Sequence, residues 1–304
     1  MTRLYQKFRR IAKSISPLEI SSDFSQEDLG WDDILFGGGS SNTSSLFLGK
    51  YSKSGIELFI DKFGLGRQVR QLGITSWTVD VNTNDPYKHI LTVYRGGKKD
   101  REAIIMELIA RYQSLESKKE DSDFIYSQPL RVLMIEWLLL QNPESDFNNN
   151  RPRLPGQQHP GIGLGEELLA LFSLMGRHLK VDGILNVPQY LHTALFFSKR
   201  HLFLSPYAQA LLLKLSSDLL SKYPLWKVAW ASATGSIFNR ETSEYYQWEP
   251  RKQLLPLNRH LKAYFKSEAY QNIARGIKEE KIYTIDEERM LEALRKIEHP
   301  PIAI

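Results

Sequence analysis

A glycine-rich run at residues 158–165 has the spacing most suggestive of chemistry in this sequence. Gly161, Gly163 and Gly165 occupy every second position, which lets the backbone approach a ligand closely. Apolar residues then follow at helical spacing: Leu168, Leu169, Phe172, Met175 and Leu179. Because the first N–H groups of a helix lack intrahelical acceptors and lie at the positive end of its dipole, the run is predicted to bind a phosphate or another anion.

Two common phosphate-binding motifs do not fit this run. A P-loop requires lysine and then serine or threonine directly after its last glycine, but Glu166 and Glu167 follow Gly165. A Rossmann fingerprint requires glycine or alanine three positions after its second glycine, where this chain again has Glu166. The sequence therefore predicts neither of these nucleotide sites here.

The run instead resembles the Q/R-x-x-G-x-G/A signature of the GNAT superfamily of acyl-CoA-dependent N-acyltransferases, with Gln158, Gly161 and Gly163 at the defining positions. The longer stretch 151–165 is similar to one in uncharacterised bacterial GNAT-like proteins. The resemblance implies acetyl-CoA or another acyl-CoA as co-substrate, its pyrophosphate held by backbone N–H groups. The cofactor-binding residues that it implies are Gln158, His159, Gly161, Ile162, Gly163, Leu164 and Gly165.

Composition narrows the classes of protein that remain. The chain has 304 residues, of which 42% are hydrophobic, so it can bury a substantial core. It has no cysteine, which excludes disulfides, thiolate zinc sites and cysteine nucleophiles. Its net charge of +5 suits anionic ligands such as CoA as well as nucleic acid or a membrane surface. With no secretory signal and no apolar run of about 18 residues, we expect a soluble, cytoplasmic protein.

The first residues predict a basic amphipathic helix, since Leu4, Phe8, Ile11 and Ile15 recur at helical spacing. The basic residues around them are Arg3, Lys7, Arg9, Arg10 and Lys13. Such a helix either docks on its own protein or lies on an anionic membrane surface, and both alternatives stay open. The Gly-, Ser- and Asn-rich segment 37–45 then predicts a flexible loop.

The central part of the chain predicts an antiparallel meander. Two short helices are expected within residues 54–73, and a turn around Gly96-Gly97 joins the second and third strands. The predicted strands cover residues 77–81, 89–94, 103–110 and 130–140. A polar loop (142–157), the glycine turn and its helix, a strand (183–187) and a helix (189–200) follow. This order of elements is that of the GNAT family.

Beyond residue 205 we expect a helix over 208–220 and two strands, 225–233 and 245–257, that close the sheet as a hairpin. From residue 261 onward, alternating charges predict solvent-facing helices. The predicted fold class is α+β, a GNAT-like mixed, mostly antiparallel sheet flanked by helices. The expected divisions are an arm and loop (1–45), an acyl-CoA-binding domain (46–260) and a helical C-terminal extension (261–304).

Acyl transfer to an amine needs a base, a donor for the oxyanion and an acid for the leaving thiolate. Glu136 stands among apolar residues on a strand that the resemblance places beside the acyl-CoA cleft, between residues 130–140 and 183–187. Desolvation there would raise its pKa toward that of a useful base. In the alternative arrangement, Glu136 points outward and pairs with a lysine or arginine.

The family often carries a tyrosine late in the helix after the second strand, where this chain has Phe196 and Phe197. Tyr190 and His192 are the available acids, and His192 could also act as a base near neutral pH. Either residue could instead be structural. Arg151 and Arg153, on the long loop before the glycine turn, could reach ligand phosphates or serve only solubility.

No metal site is predicted. Asp80, Asn82 and Asn84 copy the start of a calcium loop, but Asp85 replaces its glycine and Leu91 its closing glutamate. The seven histidines show no metal-ligand spacing.

Three functions follow from these observations. The first is transfer of an acyl group from CoA to an amine acceptor that the sequence does not identify. The second is a catalytically inactive GNAT-fold protein that keeps CoA or another nucleotide as a structural or regulatory ligand. The third, from another class, is an adaptor whose basic arm at residues 1–15 binds a membrane surface or nucleic acid.

Overall fold

The computed structural model describes residues 2–21, 45–116, 129–276, 280–298 and 300–301. Two compact units interleave along the chain. The first comprises residues 1–112, 135–143 and 161–174, and the second comprises 113–134, 144–160 and 175–304. Except for residue 45, the loop predicted over 37–45 lies outside the described residues. The three-part division at residues 45 and 260 stays a prediction, since the observed units are defined by packing rather than by consecutive segments.

The described residues at the start of the first unit form helices α1 (Arg3–Lys13), α2 (Pro17–Ser21), α3 (Lys53–Lys62) and α4 (Leu65–Gln71). The Thr2 hydroxyl caps α1 by accepting the Tyr5 N–H, as short hydroxyl side chains commonly do. Tyr5 and Phe8 are buried, and the Phe8 ring packs edge-on against Phe63 with centroids 4.9 Å apart. The predicted helices are confirmed, and α1 docks on its own unit.

The predicted meander is confirmed as strands β1 (Trp77–Asp85), β2 (Lys88–Arg95), β3 (Ile104–Leu115) and β4 (Leu130–Leu140). A short 3-10 turn, Arg101–Ala103, precedes β3. The first three strands pair antiparallel, with Val79 opposite Val93 and Leu91 opposite Leu108. These four side chains are buried, because alternate residues of a strand point to one face.

The remaining strands of the sheet are β5 (Gly183–Asn186), β6 (Leu202–Phe203) and β9 (Gln253–Pro256), and the full order is β1-β2-β3-β4-β5-β9-β6. β9 pairs antiparallel with both β5 and β6. β4 and β5 begin side by side, since the Asp182 N–H donates to the Arg131 carbonyl at 2.8 Å. With a helix connecting them, these two neighbours run in the same direction. The sheet is therefore mixed and mostly antiparallel, as predicted.

The helices after β4 are α5 (Gly165–His178), α6 (Leu191–Phe197), α7 (Pro206–Leu219), α8 (Leu225–Ala233), α9 (Arg259–Lys266), α10 (Glu268–Arg275) and α11 (Glu287–Leu294). A second sheet has the order β10-β7-β8, with strands β7 (Ile237–Asn239), β8 (Glu244–Tyr246) and β10 (Tyr283–Ile285). Within the described ranges, no helix combines the length and the apolar character needed to cross a bilayer.

Among the described residues, two hydrophobic cores lie in the second unit. One contains Leu212, Leu215, Trp230 and Met290 and joins α6, α7, α8 and α11. The other contains Leu185, Leu254, Leu261, Phe265 and Tyr270 and packs α9 and α10 on the strands. The structure confirms the predicted C-terminal helices, and the prediction that they face solvent holds for their charged side only. Their charged residues face outward, but each helix also buries an apolar stripe.

The predicted closing hairpin was also wrong. Residues 225–233 form α8, which follows Pro224 and contains Ala229, Ala231 and Ser232, small residues that pack closely on neighbouring helices. Because five consecutive residues of α8 are buried, its sequence lacks the helical alternation that would have identified it. Within 245–257 only residues 253–256 belong to the main sheet, as β9, which lies between β5 and β6.

Candidate functional site

The turn at residues 161–165 combines buried apolar anchors with an accessible backbone. The side chains of Ile162 and Leu164 are buried, whereas Gly163 is exposed. Gly163 has φ +78°, in the left-handed region that side chains rarely adopt, and no atom lies within 4 Å of the position its Cβ would take. The turn therefore exposes its backbone at Gly163.

Helix α5 begins within this turn, at Gly165. Its helical hydrogen bonding starts when the Leu168 N–H donates to the Leu164 carbonyl at 3.0 Å. The N–H groups of a first helical turn have no intrahelical acceptors, and they lie at the positive end of the helix dipole. The arrangement can thus receive an anion through backbone donors.

Two carboxylates stand in the first turn of α5. Glu166 is exposed, and Glu167 accepts a hydrogen bond from the Gln68 side chain, Nε2 to Oε1 at 3.3 Å. Negative side chains stabilise a helix N-terminus by the same dipole that attracts a ligand anion. The same charges repel a phosphate that approaches them, which favours donors on the Gly163 side of the turn for an anion.

The other residues of the predicted site occupy different surroundings. Gly161 lies beside the end of β4. A Cβ on Gly161 would be 3.7 Å from the Leu140 carbonyl oxygen, an ordinary contact, so the position is not crowded. Gln158 and His159 belong to the second unit, where Gln158 is exposed and His159 is half-buried. The glycines of the turn belong to the first unit.

The long loop before the turn is organised by its own contacts. Backbone hydrogen bonds join Asn148 and Arg151 in both directions. The Arg153 guanidinium stacks 4.6 Å from the centre of the Phe147 ring, and its carbonyl accepts the Trp230 indole N–H at 2.7 Å. Arg153 is therefore a packing residue, while Arg151 is exposed.

Tyr190 and His192 are brought together at the start of α6. Their rings stack with centroids 5.3 Å apart and planes 20° apart. A Cβ on Gly156 would lie 2.9 Å from Cε2 of Tyr190, and Gly156 has φ +79°. A glycine is thus required for the loop to pass this close to the Tyr190 ring.

The environment of His192 does not suit a base near neutral pH. Burial lowers its pKa to about 4, because the charged imidazolium loses its hydration. Its Nδ1 is buried and has no hydrogen-bond partner among the described residues. His192 is therefore neutral at physiological pH and weakly basic, which corrects the expectation that it would titrate there.

Glu136 adopts the outward arrangement rather than the desolvated one. It lies on β4, where Oε1 accepts a hydrogen bond from Arg111 Nε and Oε2 lies 4.0 Å from Lys88 Nζ. Because the residue is exposed and paired with two cations, the predicted desolvation is absent. Glu136 lies in the first unit, and Tyr190 and His192 lie in the second.

Buried polar residues that the sequence did not reveal surround α6. His201 is fully buried, and neither ring nitrogen has a partner in the described part of the chain. Asn186, the last residue of β5, donates to Gln253 Oε1 at 3.4 Å, and Gln253 donates to the Ala194 carbonyl at 3.2 Å. These side chains come from separate segments of the chain. The only sequence signal for them is that each is a polar residue within an apolar stretch.

The part of the chain that the structure describes has acidic and histidine side chains dispersed over both units. No group of three or more His, Cys, Asp or Glu side chains there could hold a metal ion.

No protein-family model matches the chain, and no curated protein matches it. Among solved structures, one described as the crystal structure of bacterial toxin aligns with 70% of this chain and 84% of its own, at 10% identity and a TM-score of 0.28. A likeness at this level carries no argument about fold or function.

Proposed function

We propose that this protein is of GNAT type and binds acyl-CoA, with the CoA pyrophosphate on the backbone N–H groups of residues 161–165. The accessible, left-handed Gly163 at the start of α5 is the observation that carries the proposal. A pyrophosphate is a doubly anionic group that several adjacent N–H donors can bind without a cationic side chain.

The order of strands supports the same family. The meander β1–β4 leads into the turn and α5, and the next strand, β5, lies beside β4 and begins level with it. This is the order that the resemblance implies for the strands flanking an acyl-CoA cleft. On this proposal, residues 204–252, between β6 and β9, are an addition to the common fold.

The surroundings of the residues proposed for catalysis suit ligand binding better than rapid acyl transfer. Glu136 is held between two cations, and the low pKa of His192 makes it a weak proton acceptor at neutral pH. Phe196 and Phe197 cannot supply the acid. We therefore infer that the protein holds CoA or acyl-CoA as a ligand, and that transfer to an amine, with Tyr190 as the acid, is the second candidate function.

Calorimetric titration with CoA, acetyl-CoA and ADP tests the binding site. The matched variants Gly163→Asp and Gly163→Asn both accept a left-handed backbone and have similar volume, but only the first adds a charge. We expect CoA to bind the wild type and Gly163→Asn, and to bind Gly163→Asp at least about tenfold more weakly. Equal CoA affinity in all three proteins, or no binding to the wild type, would refute the site.

Release of free thiol from acetyl-CoA, measured with a panel of amines, separates the two functions. The inference of binding without rapid transfer predicts no amine-dependent release above the rate in buffer. Release that is lost in Tyr190→Phe and His192→Ala would establish transfer instead. Glu136→Gln serves as the control for the ion-paired carboxylate, and it should leave any such release unchanged.

A further inference from the structure

Five basic residues cover the side of α1 that faces away from its own unit. Tyr5 and Phe8 form the buried side of this helix. At about 100° per residue, the basic positions span an arc of roughly 160°, most of it on the side opposite those two residues. They are Arg3, Lys7, Arg9, Arg10 and Lys13, all exposed.

Within the described residues, none of these five side chains forms an ion pair. The 11-residue helix is about 16 Å long, so that its outer face carries five positive charges close together, none of them ion-paired with a carboxylate of the described residues. A surface of this kind attracts polyanions, and the attraction weakens as salt is added.

We propose that the outer face of α1 binds the surface of an anionic lipid bilayer. Because the apolar face of α1 is used inside the protein, the helix binds through charge and does not insert. Leu18, on the following helix α2, is 74% exposed and adds one apolar contact at the level of the headgroups.

The same observations favour lipid over nucleic acid. A bilayer presents mobile headgroups over a continuous surface, and the long Lys and Arg side chains spread over this arc can each extend toward it. An exposed leucine gains burial at a bilayer surface and gains little against phosphates. The proposal is independent of the acyl-CoA site, which lies on a different segment of the first unit.

Sedimentation of the full-length protein with vesicles tests the proposal. One set contains phosphatidylcholine alone, and the other contains about one-third phosphatidylserine. The variant Arg9→Gln/Arg10→Gln removes two charges from α1 with little change in helix propensity. The control Lys98→Gln/Arg101→Gln removes two charges from exposed positions elsewhere in the first unit. Thermal unfolding verifies that each variant is folded.

We expect binding to the phosphatidylserine vesicles only, and loss of binding as salt rises from about 50 to about 200 mM. Affinity should fall about 25-fold in the α1 variant, about fivefold for each charge, and should change little in the control. Equal binding to both vesicle types, equal loss in both variants, or no binding to either vesicle would overturn the proposal. So would binding of a short duplex DNA in place of vesicles.

Discussion

Lys214 and Asp218 form a buried ion pair one turn apart on α7, with Nζ 2.8 Å from Oδ1 and side-chain exposures of 9% and 1%. The other oxygen of Asp218 accepts the backbone N–H groups of Ile282 and Tyr283 at 3.0 Å each. Lys214 also donates to the Glu280 carbonyl. The pair thereby holds the start of β10 against α7.

Removal of one partner of this pair should destabilise the fold strongly. In Asp218→Ala the ammonium of Lys214 stays buried without its carboxylate, and two backbone donors lose their acceptor. We expect a loss of about 3–5 kcal/mol in the free energy of unfolding, measured with urea. The exposed pair Arg251–Glu249 offers the control, since Glu249→Ala should cost less than about 1 kcal/mol. Similar losses in the two variants would show that the buried pair contributes no more than a surface contact.

His201 should make the fold sensitive to acid. Burial lowers its pKa in the folded protein to about 3, while the unfolded chain keeps a value near the ordinary 6.5. Both states are neutral above pH 6.5. As the pH falls from 6.5 toward 3, the unfolded state binds a proton that the folded state does not, so that stability decreases by up to about 1.4 kcal/mol per pH unit.

Urea unfolding at several pH values tests this dependence. The variant His201→Leu should show a shallower fall between pH 6.5 and 4 than the wild type, whatever its stability at neutral pH. The exposed His260 provides the control, since His260→Gln should leave the slope unchanged. Parallel slopes for the wild type and His201→Leu would contradict the prediction. Part of the slope should persist, because the pKa of His192 is also lowered.

Gly156→Ala should destabilise the loop for two separable reasons. The substitution forces a side chain into a left-handed backbone, at about 1 kcal/mol, and places a Cβ 2.9 Å from the Tyr190 ring. In a Tyr190→Ala background only the first cost remains. We therefore expect the double variant to be less destabilised than the sum of the two single variants, in a double-mutant cycle measured by thermal unfolding. Additive effects would indicate that the Tyr190 ring moves aside freely.

Phe8→Ala should detach α1 from its unit. Phe8 is 1% exposed and packs on Phe63, so its truncation should cost about 3–5 kcal/mol in urea unfolding. Leu18→Ala, at a residue that is 74% exposed, is the control and should change stability by less than about 0.5 kcal/mol. An equally small effect of Phe8→Ala would mean that α1 contributes little to the folded state.

Much of the sheet could be predicted from local patterns. The bounds predicted for β4 match the structure, and the glycine turn does lead into α5, because alternation and helical spacing are local properties. α8 could not be recognised, since Trp226, Val228 and Trp230 favour strands and burial on most sides removes the helical period. β6 has only two residues, and its partner β9 lies about fifty residues further along the chain.

The candidate site was predictable in part for the same reason. Backbone features of the turn follow from glycine spacing, and Gly163 does adopt a left-handed conformation. The state of a side chain depends on neighbours distant in sequence. Glu136 pairs with Arg111 on β3 and with Lys88 on β2, and burial lowers the pKa of His192. The residues adjacent to Glu136 and His192 in the sequence indicate neither effect.

β6 and β9 are joined by residues 204–252, and Phe203 pairs with Gln253 where this segment leaves and re-enters the sheet. The pairing of β6 with β9 therefore holds the two ends of this segment next to each other. The register between β6 and β9 is set where the segment leaves and re-enters the sheet. The segment itself is integral to the second unit, because its helices α7 and α8 share one hydrophobic core with α6 and α11. A change of length is thus best tolerated in the exposed turn between β7 and β8, outside that core.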